Sequence, residues 1–198
     1  EQRVSASTQN QALSALLFLY AHVLGVRLER LDEFTRAKRP ERVPVVLTAA
    51  EVAAVLAQMQ GVTRLMASLL YGAGLRVLEC AQLRVKDVDF ERRELLVRDG
   101  KGQKDRVTML PGRAVEGLAR QLAWARSQHA EDLAAGGGWV ALPDALDRKL
   151  PNAAREWPWQ WVFPATRTYV EAASGRVRRH HLHETVLQRA VRAAAVAA

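Results

Sequence analysis

Residues 70–79 have the sequence LYGAGLRVLE, which predicts the end of one helix, a glycine turn and the start of another helix. The preceding run, 62–71, is almost entirely apolar and favours a buried helix that stops at 72–74, because glycine readily adopts the conformations that end helices. A new helix is then expected to begin near Arg76. A guanidinium at a glycine-rich entry, beside the positive end of a helix dipole, is well placed to bind a phosphate bidentately.

Arg76 and Lys101 are the two candidates for chemistry on phosphate. Glu79 follows Arg76 by three residues and is expected to orient its guanidinium through a salt bridge, although an ordinary surface ion pair has the same spacing. Lys101 lies between two glycines at the tip of a predicted β-hairpin, from which its ammonium can reach a phosphate. A solvated turn lysine has the same pattern. The tip does not have the G-x-x-x-x-G-K-[ST] spacing of nucleotide hydrolases.

The rest of the pattern predicts a mainly α-helical chain with a small antiparallel β-sheet, an α+β fold. A capping box, Thr48-Ala-Ala-Glu51, is expected to start one helix. The polar segment 165–180 is expected to be a loop. The other predicted helices cover 8–25, 28–36, 62–71, 76–82, 113–130 and 183–197, and the predicted strands cover 85–90, 94–98 and 106–110.

Composition limits the classes of function before any motif does. The 198 residues carry a net charge of +8, with a pI of about 10.3, which favours a polyanionic partner, although many basic proteins bind nothing acidic. The positive excess lies in 47–130 and 164–198, whereas 131–163 is net negative and holds most of the tryptophans. One cysteine excludes an internal disulfide framework and a multi-cysteine zinc site. The longest apolar segment is too interrupted for a membrane span.

A linker is predicted at 37–44, where two prolines and several charges occur together. We place a domain boundary there and expect 1–39 and 40–198 to belong to different domains. The first segment is too short for a core of its own, and the chain begins with Glu1 and not with methionine. We therefore expect a fragment that lacks both ends of its parent protein.

Taken together, the motifs resemble the catalytic domain of tyrosine site-specific recombinases, the phage integrase family. The resemblance implies that 1–39 is the C-terminal part of a helical, SAM-like core-binding domain and that 40–198 is the N-terminal two-thirds of the catalytic domain. An integron-type insertion is expected at about 134–163. The similarity to recombinases rests on 70–79, on LRVKDVD at 83–89 and on GKGQKDR at 100–106; the similarity to integron integrases rests on 141–151, on EWPWQWVFP at 156–164 and on HHLHE at 180–184.

The resemblance also implies roles for individual residues. Members of the family break DNA with a tyrosine nucleophile, form a 3′-phosphotyrosyl intermediate and use neither metal nor ATP. Arg76 matches the first catalytic arginine, which stabilises the phosphorane-like transition state. Lys101 matches the hairpin lysine taken as the general acid for the leaving 5′-oxygen. Glu79 matches the supporting acid.

The family's His-x-x-Arg box and nucleophilic tyrosine have no match in these residues. The tyrosines present are Tyr20, Tyr71 and Tyr169, and none occupies the place of the nucleophile. We therefore expect the parent protein to be a recombinase and this fragment to be inactive alone.

The tryptophans of the insertion are candidates for contact with DNA bases. Trp157, Trp159 and Trp161 alternate, so in an extended chain they face one way. Indoles so arranged either pack a local core or stack on unpaired bases. In the resembled family, the insertion and the downstream histidines hold extrahelical bases of a folded single-stranded hairpin. This implies base contacts for Trp157, Trp159, His180 and His181 and leaves Trp161 in the core.

Basic residues outside the catalytic motif are candidates for contact with phosphates. A solvated basic loop has the same pattern as a phosphate-binding one. The histidines near 180 do not have the spacing of a metal site, and no metal or other cofactor is expected. The candidate phosphate contacts are Lys104, Arg176, Arg178 and Arg179.

The sequence therefore predicts that this chain is part of an integron-type recombinase. It is expected to act on hairpin-folded single-stranded and duplex recombination sites, to assemble as a tetramer on DNA and to reside in the bacterial cytoplasm. The alternative is a non-catalytic, truncated DNA-binding protein on the same scaffold. A third class, a helical protein-interaction module, needs no pair of Arg76 and Lys101.

Overall fold

The structure is a computed structural model of the chain. It describes residues 4–26, 36–38, 43, 45–100, 104–143 and 146–198, with the backbone alone at 99–100. Lys101 and most of the helix predicted over 28–36 therefore lie outside the described residues. The chain divides into two compact units, Glu1–Val46 and Leu47–Ala198.

Among the described residues of the first unit, helix α1 covers Ala6–Phe18 and continues into a π-helical turn over Leu19–Val23. This agrees with the helix predicted there. The Asn10 side chain donates to the carbonyl of Ala37 and accepts from its amide, each at 2.9 Å, which ties the helix to a segment 27 residues away. The assignment of this unit to a core-binding domain stays a prediction.

The second unit is an α+β structure, which confirms the predicted fold class. A three-stranded antiparallel sheet has the order β1-β2-β3, and a separate antiparallel hairpin is formed by β4 and β5. Three short 3-10 turns cover Val85–Asp87, Ala153–Arg155 and Trp157–Trp159. The other elements are α2 (Ala49–Ala57), α3 (Gly61–Ala73), α4 (Val77–Ala81), β1 (Val88–Asp89), β2 (Glu94–Gly100), β3 (Lys104–Met109), α5 (Gly112–Ala134), α6 (Leu146–Lys149), β4 (Pro164–Val170), β5 (Val177–His181) and α7 (Glu184–Ala197).

Local signals account for several element ends. The predicted capping box is present: the amide of Thr48 donates to Glu51 at 2.7 Å, and the amide of Glu51 donates to the Thr48 hydroxyl at 3.3 Å. Helix α3 ends at Gly74, whose φ of 64° is the left-handed conformation that glycine adopts most easily. At Gly72 a Cβ atom would lie 2.6 Å from Cγ of Pro111, so only glycine lets α3 approach the start of α5 this closely.

The main core lies between α3, α5, α7 and the inner face of β2. Its largest side chains are fully buried, and each contributes roughly 1.5–3 kcal/mol of transfer free energy by its burial. No helix among the described residues is long and apolar enough to cross a bilayer. The buried side chains at the centre are Met66, Leu69, Leu95, Leu118, Phe163 and Leu187.

Two predicted segments have a different structure. The strand predicted over 85–90 is confirmed only at Val88–Asp89, which forms β1, because its first half is the 3-10 turn Val85–Asp87. The polar loop predicted over 165–180 is wrong, since most of it forms the hairpin of β4 and β5. Its sequence is polar because paired arginines, and not apolar side chains, occupy its buried positions.

Candidate functional site

Arg76 lies between the glycine turn and α4, with its side chain 56% exposed. Its Nη1 donates to Oε1 of Glu79 at 2.6 Å, and its backbone amide donates to Oε2 of the same carboxylate at 2.7 Å. The predicted salt bridge is therefore present. Helix α4 has only five residues, so its dipole contributes little and the carboxylate does most of the positioning.

Only 7% of the Glu79 side chain is exposed, and its carboxylate also binds Arg106 of β3. Nη1 and Nη2 of Arg106 donate to the two carboxylate oxygens at 2.8 and 2.7 Å. These bonds, together with those from Arg76, lower the pKa of Glu79 to about 2, against the effect of burial, which raises it. The carboxylate is thus ionised at neutral pH.

We call Arg76, Glu79 and Arg106 the Glu79 clamp. Its two guanidinium groups and one carboxylate leave a net positive charge, and the exposed member is Arg76. Among the described residues, Glu79 is the only hydrogen-bond partner of the Arg76 guanidinium. The Arg76 side chain is also more than half exposed, so its N–H groups can reach an anionic ligand, and a phosphate suits their fork geometry.

Arg106 has no role in the sequence prediction, although it lies within one of the motifs. Its partner is 27 residues away, so no local spacing indicates the contact. The one available signal is strand alternation: Arg106 and Thr108 lie on the same face of β3, and the Thr108 hydroxyl donates to the carbonyl of Ala73 at 2.9 Å. Lys104, at the start of β3, is exposed as a DNA contact requires.

The alternation of the three tryptophans does not place them on one face of an extended strand, because the chain is not extended there. Trp157–Trp159 forms a 3-10 turn with Pro158 in its first positions. Trp157 is half-buried, with its ring centroid 6.0 Å from that of His129. Trp161 is buried, as predicted, and its Nε1 donates to the carbonyl of Arg179 at 3.1 Å.

Trp159 is half-buried, and a cation covers one of its faces. Nζ of Lys86 lies 2.9 Å from the ring centroid, a cation–π contact. Burial lowers the pKa of Lys86 to about 8, with a smaller effect from Arg98, so the ammonium is still mostly charged at neutral pH. Arg84 supports this arrangement by donating to the carbonyls of Trp159 and Ala141 at 2.6 and 2.8 Å.

The two candidate histidines lie side by side at the end of β5. Their ring centroids are 4.0 Å apart, and the ring of His181 meets that of Trp161 edge-on at 5.3 Å. His180 is exposed, whereas His181 is buried, and burial lowers the pKa of His181 below its ordinary value. The structure thus brings both histidines into contact with Trp161, which belongs to the predicted insertion.

Arg178 and Arg179 are buried and have protein partners. Nη2 of Arg178 lies 2.9 Å from Glu171 and 3.3 Å from Asp147. Arg179 binds Asp132 of α5 through two hydrogen bonds of 2.6 Å each. The open basic loop expected here is wrong, because these ion pairs fasten β5 to the insertion and to α5.

Arg176 differs from its two neighbours. It is half-buried, and its guanidinium carbon lies 4.0 Å from the ring centroid of Trp139. This leaves it closer to solvent than Arg178 and Arg179. The geometry favours a structural role for the two buried arginines and keeps Arg176 as the candidate phosphate contact.

The chain is similar to known integrases and recombinases. The phage integrase family matches residues 45–198. An integrase/recombinase from Escherichia coli is 48% identical over 194 residues, covering 98% of this chain and 58% of that protein. Tyrosine recombinase XerA from Thermococcus onnurineus (strain NA1) is 44% identical over 166 residues, covering 80% of this chain and 54% of that protein.

Among solved structures, XerA recombinase matches with a TM-score of 0.45 at 22% identity, covering 98% of this chain and 56% of that one. The chain therefore spans a little more than half the length of each of these three relatives. Since the family match covers the whole of the second unit, including the Glu79 clamp, the chain belongs to the phage integrase family of tyrosine recombinases.

Proposed function

We propose that the protein containing these residues is a DNA-binding, site-specific recombinase of the integron integrase type, which breaks and rejoins DNA through a 3′-phosphotyrosyl intermediate. The observation that carries the proposal is the exposed Arg76 guanidinium, held by Glu79 in a chain that belongs to this family. We further propose that the protein assembles as a tetramer on DNA. We also propose two domains: residues 1–39 form the C-terminal part of the core-binding domain, and residues 40–198 belong to the catalytic domain.

In this proposal Arg76 binds the scissile phosphate. Negative charge increases on the non-bridging oxygens as the transition state forms, and a preoriented guanidinium stabilises that charge without reorganising. Glu79 supplies the orientation, since it bonds both the guanidinium and the backbone amide of Arg76. Lys101 is proposed as the general acid, on sequence grounds alone.

The insertion and β5 are proposed to contact extrahelical bases. Part of the surface of Trp157, Trp159 and His180 is accessible to solvent. His181 is buried, and its ring packs against that of His180. Because Lys86 covers one face of Trp159, a base stacks on the opposite face or displaces the ammonium. We propose phosphate contacts for Lys104 and Arg176.

Binding of three DNAs tests the base contacts. We expect a hairpin-folded single strand with extrahelical bases to bind more tightly than the same hairpin without them, or than plain duplex, in fluorescence anisotropy. Trp159→Ala should weaken binding to the first DNA by roughly tenfold and leave the duplex unchanged, since stacking contributes about 1–3 kcal/mol per base. All binding should weaken as salt increases.

The matched control is Trp124→Ala, which removes an exposed indole on α5 that has no place in the proposed interface. Equal affinity for the three DNAs, or an unchanged preference in Trp159→Ala, would remove the base-contact proposal. An absence of salt-dependent DNA binding would instead favour the protein-interaction module.

We also propose that these 198 residues do not cleave DNA by themselves. None of their tyrosines matches the family's nucleophile; Tyr71 lies on α3 and Tyr169 on β4. A suicide substrate should therefore give a non-covalent complex and no covalent adduct on a denaturing gel. An adduct would overturn the proposal, and Tyr20→Phe, Tyr71→Phe and Tyr169→Phe would then test which tyrosine carries it. A parent protein without a nucleophile would support the non-catalytic alternative.

A further inference from the structure

We infer that Arg106 is a positioning residue that neutralises Glu79 and thereby leaves the charge of Arg76 free for phosphate. The inference rests on the proposed role of Arg76 and adds a second arginine, which acts through the carboxylate and does not itself touch DNA. It is carried by the contacts within the Glu79 clamp.

The described residues donate four hydrogen bonds to the Glu79 carboxylate. Oε1 accepts from Nη1 of Arg76 at 2.6 Å and from Nη1 of Arg106 at 2.8 Å. Oε2 accepts from the amide of Arg76 and from Nη2 of Arg106, both at 2.7 Å. Each oxygen thus has one partner from each arginine, and the carboxylate cannot rotate without breaking bonds to both.

This geometry determines how much each arginine contributes to neutralising the charge of Glu79. Arg106 presents the fork of two parallel N–H groups, whereas the Arg76 guanidinium gives Glu79 only one of its nitrogens. A bidentate pair is the stronger of the two arrangements, so Arg106 provides most of the compensation for the carboxylate. Without it, Arg76 alone would neutralise Glu79, and less of its charge and fewer of its donors would remain for a ligand.

Arg106 also connects the hairpin to the turn that carries Arg76. Its Nη2 lies 3.3 Å from the carbonyl of Gly74, and the hydroxyl of Thr108 donates to the neighbouring carbonyl of Ala73. Strand β3 is therefore attached to the glycine turn at two successive carbonyls. The position of Arg76 is set jointly by its own turn and by this strand.

A double-mutant cycle separates positioning from a merely structural role. We expect Arg76→Gln to weaken duplex DNA binding by roughly tenfold and Arg106→Gln by about threefold to tenfold in anisotropy at fixed salt. The double variant should bind no more weakly than Arg76→Gln alone, because Arg106 acts only through Arg76. Arg106→Lys, which keeps the charge but not the fork, should recover part of the affinity.

The matched control is Arg98→Gln, which removes the same charge from the neighbouring strand. Arg98 also pairs with a buried carboxylate, Asp87, at 2.8 Å, and both of its ion-pair partners among the described residues, Asp87 and Asp105, lie outside the clamp. Its effect should add to that of Arg76→Gln. An additive effect of Arg106→Gln would overturn the inference, because it would show that Arg106 contacts DNA directly or acts through general charge.

A measurement without DNA keeps the test independent of the proposed function. Carboxyl-carbon NMR should show the pKa of Glu79 rising from about 2 in Arg106→Gln, and the Arg76 side-chain resonances should change with it. If Arg76→Gln binds DNA normally, the proposed role of Arg76 fails, whatever the NMR result. If the NMR signals of Arg76 and Glu79 do not respond to Arg106→Gln, or to Arg106→Lys should the first variant not fold, the inference about Arg106 fails.

Discussion

Replacing Asp132 with asparagine is expected to lower the free energy of unfolding by about 3–5 kcal/mol, the cost of leaving a buried charge without its partner. Asp132 and Arg179 keep only 12% and 9% of their side chains exposed, and two bonds of 2.6 Å join them. Asparagine preserves the shape but removes the charge, so the Arg179 guanidinium stays buried and uncompensated. Urea denaturation at neutral pH measures the change.

Glu116→Gln is the matched control, because Glu116 lies on the same helix α5 and pairs with Arg120 at the surface. An exposed pair of this kind contributes at most about 1 kcal/mol. If Asp132→Asn costs no more than this control, the ion pair does not hold β5 against α5. The large effect is expected here because burial removes the water that otherwise stabilises both charges.

The second large effect is expected at acid pH and comes from Glu79. Its pKa in the folded chain is about 2, below the ordinary 4.5, because Arg106 and Arg76 stabilise the ionised form. The unfolded chain therefore binds a proton more readily than the folded chain does. The resulting stabilisation is present above about pH 4.5 and is lost as the pH falls towards 2. It amounts to at most about 3 kcal/mol, less what water screens at the exposed arginines.

Denaturation of the wild type and Glu79→Gln across this range measures the effect. The wild type should be the more stable at neutral pH, and the difference between the two should shrink by about 1–3 kcal/mol on going down to pH 3. Glutamine cannot titrate, so Glu79→Gln lacks this part of the acid sensitivity. A difference that does not change with pH would mean that Glu79 titrates alike in the folded and unfolded chains.

Much of the local structure follows directly from short-range sequence patterns. The capping box at Thr48, the end of α3 at Gly74 and the ion pair of Arg76 with Glu79 each involve groups within one helical turn. Such contacts depend on spacing alone, so the residues on either side are enough to predict them. The family resemblance then added the expected role of Arg76, which the spacing by itself left open.

The candidate DNA interface was less predictable, because its arrangement depends on distant partners. The prediction placed Arg178 and Arg179 in an open loop, since arginines are mostly exposed. Their burial requires Asp132, Asp147 and Glu171, which only the packed chain brings within reach. The expectation that the alternating tryptophans face one way depended on an extended backbone, whereas the chain forms a 3-10 turn at Trp157–Trp159.

By itself, the sequence determined the family, the α+β class and the pair of Arg76 and Glu79, because these depend on motifs and on contacts within a few residues. The tertiary structure alone decided that Arg106 completes the Glu79 clamp, across 27 residues, and that Lys86 covers Trp159. It also decided which arginines are buried. A charge becomes an ion-pair partner or a free ligand contact only when folding sets its distance to other charges and to water.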